Sequence, residues 1–179
     1  MANRIPELLA IMALLSSTPA AAAGDVKIRD LVVAATIPDA QRETTLKAVR
    51  AFYEFWSTGD ESILKQAIAK NFIDHTLPPG RPQGPNGPAF ASRQFRMAVP
   101  DLKVAVEKMI VAGDYVTVHM NFTGHFTGRF GRTPGKGQLI SFTATDLVKV
   151  ESGRITDNWH IEDNLTLFRE MGVIKDGNK

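Results

Sequence analysis

From Leu102 onward the hydrophobic period of this chain changes from helical to two, and it stays at two almost to residue 162. Alternation buries one face of a strand only when the backbone is extended, so the second half must form an antiparallel meander. Strands read at 102–111, 115–127, 139–150 and 155–162, with Gly113-Asp114 and Ser152-Gly153 as hairpin turns. The first half has the other period. Asp39 is placed to cap a helix running to about Ser57, with Leu46, Val49, Tyr53 and Trp56 on one face and Phe52 and Phe55 widening it. Gly59 ends that helix, and Asp60 caps a shorter one carrying Ile63, Leu64, Ala67 and Ile68. A short strand FIDHT follows, then the proline-glycine loop 78–88, and a third helix opened by Pro88 that must stop before Pro100. A last short helix, roughly 165–171, closes at Gly172. Helices first and a meander afterwards make an α+β domain.

Residues 1–23 read as a cleaved export signal. Arg4 supplies a weak basic start, LLAIMALL at 8–15 an apolar stretch too short for the roughly 20 residues of a membrane span, and PAAAAG a small-residue cleavage site. Residues 24–179 are then one domain of a periplasmic or secreted protein, with no membrane association after cleavage. With no cysteine in the chain, disulfides, thiolate chemistry and Cys-ligated metal are excluded. A net charge of +2 gives no argument for nucleic acid.

Three features carry possible chemistry. The loop GRFGRTPGKG at 128–137 is glycine-rich and basic, but it fails as a phosphate loop. Gly131 and Gly135 are one residue too close, and Gly137 stands where Ser or Thr is needed. It reads instead as a basic hairpin loop at a pocket mouth. The histidines, His75, His119, His125 and His160, show no zinc spacing, so no metal is expected. Asp146 is the third feature. It shares a strand face with Ile140, Phe142, Ala144, Val148 and Val150, and burying one carboxylate among them costs several kcal/mol unless it is paired or protonated. Such a group is a candidate for a raised pKa and a functional role.

The order of elements, with FIDH, VPDLKV, GDYVTVH, TGHFTG and the ending GRITDNWHIEDNLTLFREMG, resembles the SnoaL-like polyketide (ester) cyclases of the nuclear-transport-factor-2-like superfamily. The resemblance covers roughly 42–174. It implies a cone-shaped α+β barrel, helices packed in a curved antiparallel sheet around a central pocket, and cofactor-free aldol ring closure by proton transfer. It also implies a homodimer through the open sheet face. His75 stands where the family's short strand often has a pocket histidine, and Asp163 matches an Asp four residues after the family Trp, here Trp159. Asp163 can equally cap the last helix. His160 occupies the place of the family's acid/base Asp, and Phe52 that of the oxyanion Tyr of steroid-isomerase relatives, so both standard mechanisms depart from pattern here.

The partner of Asp146 depends on the register after Ser152-Gly153. A two-residue turn would set Asp146 opposite Trp159, whereas a left-handed bulge at Gly153 would set it diagonal to His160. The second is taken, because Asp146 needs a partner. The resulting expectation is a cofactor-independent acid/base enzyme, a lyase or isomerase, acting on an apolar carbonyl compound. His160 is the base and Asp146 orients it. His75, His119 and Asn121 hydrogen-bond substrate oxygens, and His125, Asn158, Phe142 and Asp163 complete the ligand-contacting set. The alternative is a non-catalytic exported binder of a hydrophobic small molecule. An epoxide hydrolase, which wants an Asp-Arg-Asp set, ranks lower.

Overall fold

The computed structural model describes residues 26–174; the expected export segment, 1–23, lies outside them. In chain order the elements are β1 Ile28–Val33, α1 Asp39–Thr58, α2 Glu61–Ala67, β2 Ile68–Asp74, α3 Asn86–Ala98, β3 Lys103–Ala112, β4 Tyr115–Phe126, β5 Arg129–Phe130, β6 Thr133–Pro134, β7 Gln138–Glu151, β8 Arg154–Glu162 and α4 Asn164–Glu170. The main sheet has six strands in the order β1-β3-β4-β7-β8-β2, and β5 and β6 form a separate small ribbon. The four central strands are antiparallel, while β1 joins β3 and β2 joins β8 in parallel.

Local chemistry accounts for most of these boundaries. Gly59 ends α1 with φ 77°, a left-handed conformation that only glycine adopts without strain. Asp60 caps α2 by accepting a 2.8 Å hydrogen bond from the Ser62 amide. Asp163 does the same for α4, accepting from the amide and hydroxyl of Thr166 at 3.0 and 2.6 Å. Two expected caps differ. Asp39 is the first residue of α1 rather than its cap, Pro38 holding that place with no side-chain bond. Pro88 lies two residues inside α3, still in the first turn, where its missing N–H leaves no acceptor unsatisfied. Strand β1 was not anticipated, because IRDLVV exposes most of its side chains and so lacks a clean alternation.

The sheet curls over α1, whose Val49, Phe52, Tyr53 and Phe55 are fully buried. Strand β4 turns its even-numbered residues inward and β7 does likewise, so Val118, Met120 and Phe122 face the core with Ile140, Phe142, Ala144 and Asp146. At the β7–β8 hairpin Ser152 and Gly153 both have positive φ, 49° and 71°, the signature of a tight two-residue turn. The ladder therefore starts at Glu151 opposite Arg154, then shifts between Lys149 and Val150, leaving Thr156 as the extra residue. Beyond this bulge Asp146 stands directly opposite His160. The turn is the one that favoured Trp159, but the bulge hands the inner face to Asn158, His160 and Glu162.

Gly128 holds the β5–β6 ribbon against the end of α3. The amides of Thr127 and Gly128 both donate to the Ala98 carbonyl, at 3.2 and 2.9 Å. A Cβ on Gly128 would fall on the Met97 carbonyl oxygen, which cannot retreat without unwinding the helix end. Gly128→Ala is therefore expected to destabilise the fold by about 2 kcal/mol or more. The midpoint of urea unfolding, followed by tryptophan fluorescence, checks this, and an unchanged midpoint would contradict the close packing.

Candidate active site

The inward faces of β7, β8 and β2 meet α1 and the 78–88 loop around a small cavity of about 60 Å³. Phe52, Trp56, Phe72, Phe122, Phe142 and Ala144 make its apolar wall, and Asp74, Arg81, Asp146, Asn158, His160 and Glu162 supply its polar atoms. Asp146 is buried, and its Oδ2 accepts a 2.9 Å hydrogen bond from the Tyr53 hydroxyl. Burial pushes its pKa up to about 7, although the Tyr53 bond and the His160 charge pull the other way. Burial, with Asp146 beside it, raises the Tyr53 pKa well above its ordinary value, so Tyr53 remains a donor.

His160 is fixed differently from the expectation. Its Nε2 donates to Asp74 Oδ2 at 3.2 Å and its Nδ1 faces Glu162 Oε1 at the same distance. Burial alone would lower its pKa, but the two carboxylates overcome that and hold it at about 10. At neutral pH the ring is an imidazolium with both N–H groups engaged. Asp74 and Glu162, despite their own burial, are in turn held below the usual carboxylate range, chiefly by the bond from His160. Asp74 also accepts from the Thr76 amide at 2.9 Å and lies 3.5 Å from Arg81 Nη1. The Thr76 hydroxyl accepts the His160 backbone N–H at 2.8 Å, which ties the end of the edge strand β2 to its neighbour β8.

Of the residues expected at the site, Asp146, His160, Asn158 and Phe142 line the cavity. The others do not. His119, Asn121 and His125 occupy odd positions of β4 and so lie on the outer face, where His119 meets the Thr145 hydroxyl, Asn121 donates to Ser141 and His125 pairs with Asp101. His75 also faces outward, stacked on Trp159 at 4.2 Å and bonded to Asp157 at 2.7 Å. Asp163 is the α4 cap described above. The expected hydrogen-bonded dyad of Asp146 with His160 is absent: the carboxylate is bonded to Tyr53, and the imidazole to Asp74 and Glu162.

Three cavity residues, Asp74, Glu162 and Arg81, were missed, as was Tyr53 behind Asp146, and two of the four had a legible signal. Asp74 shares parity with buried Phe72 on β2, so Asp74 rather than His75 had to face inward. Glu162 lies two residues from His160 on the same strand face. Tyr53 was read as core, which it also is, and Arg81 belongs to a loop whose placement no periodicity encodes. Among the described residues, no group of three or more His, Asp or Glu side chains is arranged to hold a metal ion.

Comparison with known proteins places the chain. The sequence profile of the SnoaL-like polyketide cyclases matches residues 46–171. The chain belongs to this family. A Bacillus cereus protein described as a candidate polyketide cyclase is 37% identical, with a TM-score of 0.78 over 85% of this chain and 96% of that one. IdmH of Streptomyces antibioticus, likewise described as a candidate cyclase, is 26% identical over 70% of this chain and 96% of that one, with a TM-score of 0.64. A Catenulispora acidiphila protein with a ketosteroid isomerase-like fold shares the architecture alone: TM-score 0.57 and 17% identity, over 74% of this chain and 98% of that one. No curated protein matches the chain. Family membership brings the mixed α+β cone and a small-molecule pocket.

The raised pKa of Asp146 has a consequence for stability. A carboxyl titrating near 7 when folded and near 4 when unfolded holds its proton more tightly in the fold. Its favourable contribution is complete below pH 4 and is lost as the pH rises through 7. Asn at this position keeps the Tyr53 bond and cannot ionise. Asp146→Asn should therefore be more stable than the parent at pH 8, on the order of 4 kcal/mol, with most of the difference gone at pH 5. Thermal unfolding of both proteins at the two pH values measures it; a difference independent of pH would mean that Asp146 does not change its charge on folding.

Proposed function

We propose that the protein is an acid/base enzyme that moves a proton alpha to the carbonyl of an apolar compound, as in aldol ring closure, without a cofactor. The observation that carries this reading is Asp146: a carboxylate walled by apolar side chains, facing the cavity, bonded to Tyr53, with a pKa near neutrality. This exchanges the roles expected from the sequence. His160, protonated and donating from both nitrogens, has no lone pair with which to take a proton. Asp146 is the base, and His160 is the fixed cation whose charge keeps part of the Asp146 population ionised at pH 7.

In this mechanism the ionised Asp146 takes the α-proton and becomes a neutral acid, while Tyr53 holds the carboxyl in place. Negative charge then develops on the substrate oxygen. The Arg81 guanidinium and the His160 imidazolium supply positive potential, and the Asn158 carboxamide, whose buried Oδ1 has no partner, is open to a substrate polar group. Charge is worth more here than in water because the wall excludes solvent. The convergence of Asp146 and His160 on one cavity favours an enzyme over a simple binder. The lower-ranked epoxide hydrolase keeps one supporting observation, the Asp74–Arg81 pair in the same cavity as Asp146.

Exchange of the α-protons of an aryl ketone such as 1-tetralone in D2O, followed by NMR, tests the reading without knowledge of the natural substrate. The rate per enzyme should rise with pH to a plateau above about 7, as Asp146 ionises, and fall again near 10, as His160 loses its charge. Asp146→Asn should lower it about 10²- to 10⁴-fold. The Tyr53 bond lowers the Asp146 pKa, so Tyr53→Phe should move the acidic limb to higher pH. A profile that keeps its acidic limb in Asp146→Asn rules out Asp146 as the base. Hydrolysis of a small epoxide in place of exchange would favour the lower-ranked reading.

We also propose that the protein is exported and works as a homodimer. The composition of residues 1–23 supports export. Large apolar side chains on the outer sheet face, with Ile161 78% and Leu139 60% exposed, support a second copy as their cover. Native mass spectrometry of protein from its own cells tests both: two copies, each beginning between about residues 21 and 25, are expected. A monomer, or a chain starting at Met1, would refute the corresponding half.

A further inference from the structure

The inner cavity is too small for the substrate that the proposed chemistry requires. About 60 Å³ admits a carbonyl and its neighbours, whereas pockets for whole small molecules run to roughly 300–1,000 Å³. A second, open cleft of about 770 Å³ lies outside it, between α3, the 78–88 loop and the β5–β6 ribbon. Arg81 lines both spaces. Phe95 of the cleft packs edge-on against Phe142 of the inner wall, with centroids 6.0 Å apart, so the two are neighbours across one layer of rings.

The chemistry of this cleft is one-sided. Phe90, Phe95 and Phe130 offer aromatic surface, Pro79 adds a flat apolar face, and Arg81 and Arg129 are its charged residues; no Asp or Glu lines it. Arg81 is partly neutralised by Asp74 at 3.5 Å. Arg129 is not: its guanidinium donates to the Arg132 carbonyl at 3.3 Å, and among the described residues no carboxylate forms a salt bridge with it. The basic loop that fails as a phosphate site is thus placed by Gly128 so that one arginine faces a cleft of aromatic rings. With Arg81 only partly neutralised and Arg129 without an acidic counterpart, the cleft attracts an anion, and a guanidinium matches a carboxylate in a two-pronged geometry.

We infer that the outer cleft binds the body of the substrate, and that this substrate is an aromatic carbonyl compound bearing a carboxylate, which Arg129 recognises. The rings stack on the cleft phenylalanines while the reacting end passes Arg81 into the inner cavity. The second half of that statement rests on the acid/base reading above; the carboxylate preference does not.

The test reads binding alone, so it stands or falls separately from the role of Asp146. The probes are 2-naphthoate and the uncharged 2-naphthamide, titrated into the full chain by calorimetry. The Met97 methyl resonance serves as a reporter, since Met97 lines the cleft. The acid should bind at least about tenfold more tightly than the amide, shift the Met97 signal, and weaken as salt is raised. Arg129→Gln, an exposed change, should abolish the preference and leave the affinity of the amide within about twofold. Equal affinities of acid and amide, a preference retained in Arg129→Gln, or an unmoved Met97 signal would each overturn the proposal.

Discussion

A carboxylate has been placed where the fold is least able to solvate it, and much of the surrounding structure compensates. Asp146 sits in a β7 face of Ile140, Phe142, Ala144, Val148 and Val150, beneath a fully buried helix face. Left alone it would simply remain protonated. Two groups keep it near its titration point. Tyr53 reaches it from α1 as a donor that burial prevents from ionising, and His160 contributes a positive charge from the paired strand without bonding to it.

That second contribution depends on a fixed charge, and a fixed imidazolium needs more than one counter-ion. Asp74 arrives from β2 at the sheet edge and Glu162 from the end of β8. Each is itself secured, Asp74 by Thr76 and by Arg81 of the long loop, Glu162 by Asn164. The loop is clamped to β2 by Gln83, which donates to the Asp74 carbonyl and accepts the Asp74 amide, both at 2.9 Å. The proline-rich stretch is therefore a structural strut for the charge cluster as well as its cover. A pKa near 7 at one residue is produced by two neighbouring strands, a loop and a helix acting together.

The sequence made the architecture legible because periodicity is a local property. The β4 and β7 alternations, the Asp60 cap and the Gly59 stop each depend on a few neighbouring residues. Asp146 was legible for the same reason, being a charge that breaks an apolar alternation. The site around it was less so. The same parity rule that exposed Asp146 also puts His119, Asn121 and His125 outside, since Val118, Met120 and Phe122 claim the inner face. Their polar character had outweighed the alternation. The position of His160 turned on a single bulged residue beyond the hairpin, which reverses the facing of everything after it. Arg81 and the Gln83 clamp act across a loop and have no local signature.

The division into two spaces is consistent with the proposed role of Asp146 as a buried base. Proton abstraction by a carboxylate gains from exclusion of water, since a solvated Asp146 would return to a pKa near 4 and become a weaker base. An enclosure wide enough for a whole substrate would admit far more water than the inner cavity does. A small inner space, with Phe142, Phe122 and Phe95 as the partition, keeps Asp146 buried. On the proposal above, the bulk of the ligand meets the open cleft that Arg129 lines. On that proposal, recognition in the outer cleft and reactivity in the inner cavity rest largely on separate residues, joined at Arg81 and at the Phe95–Phe142 contact.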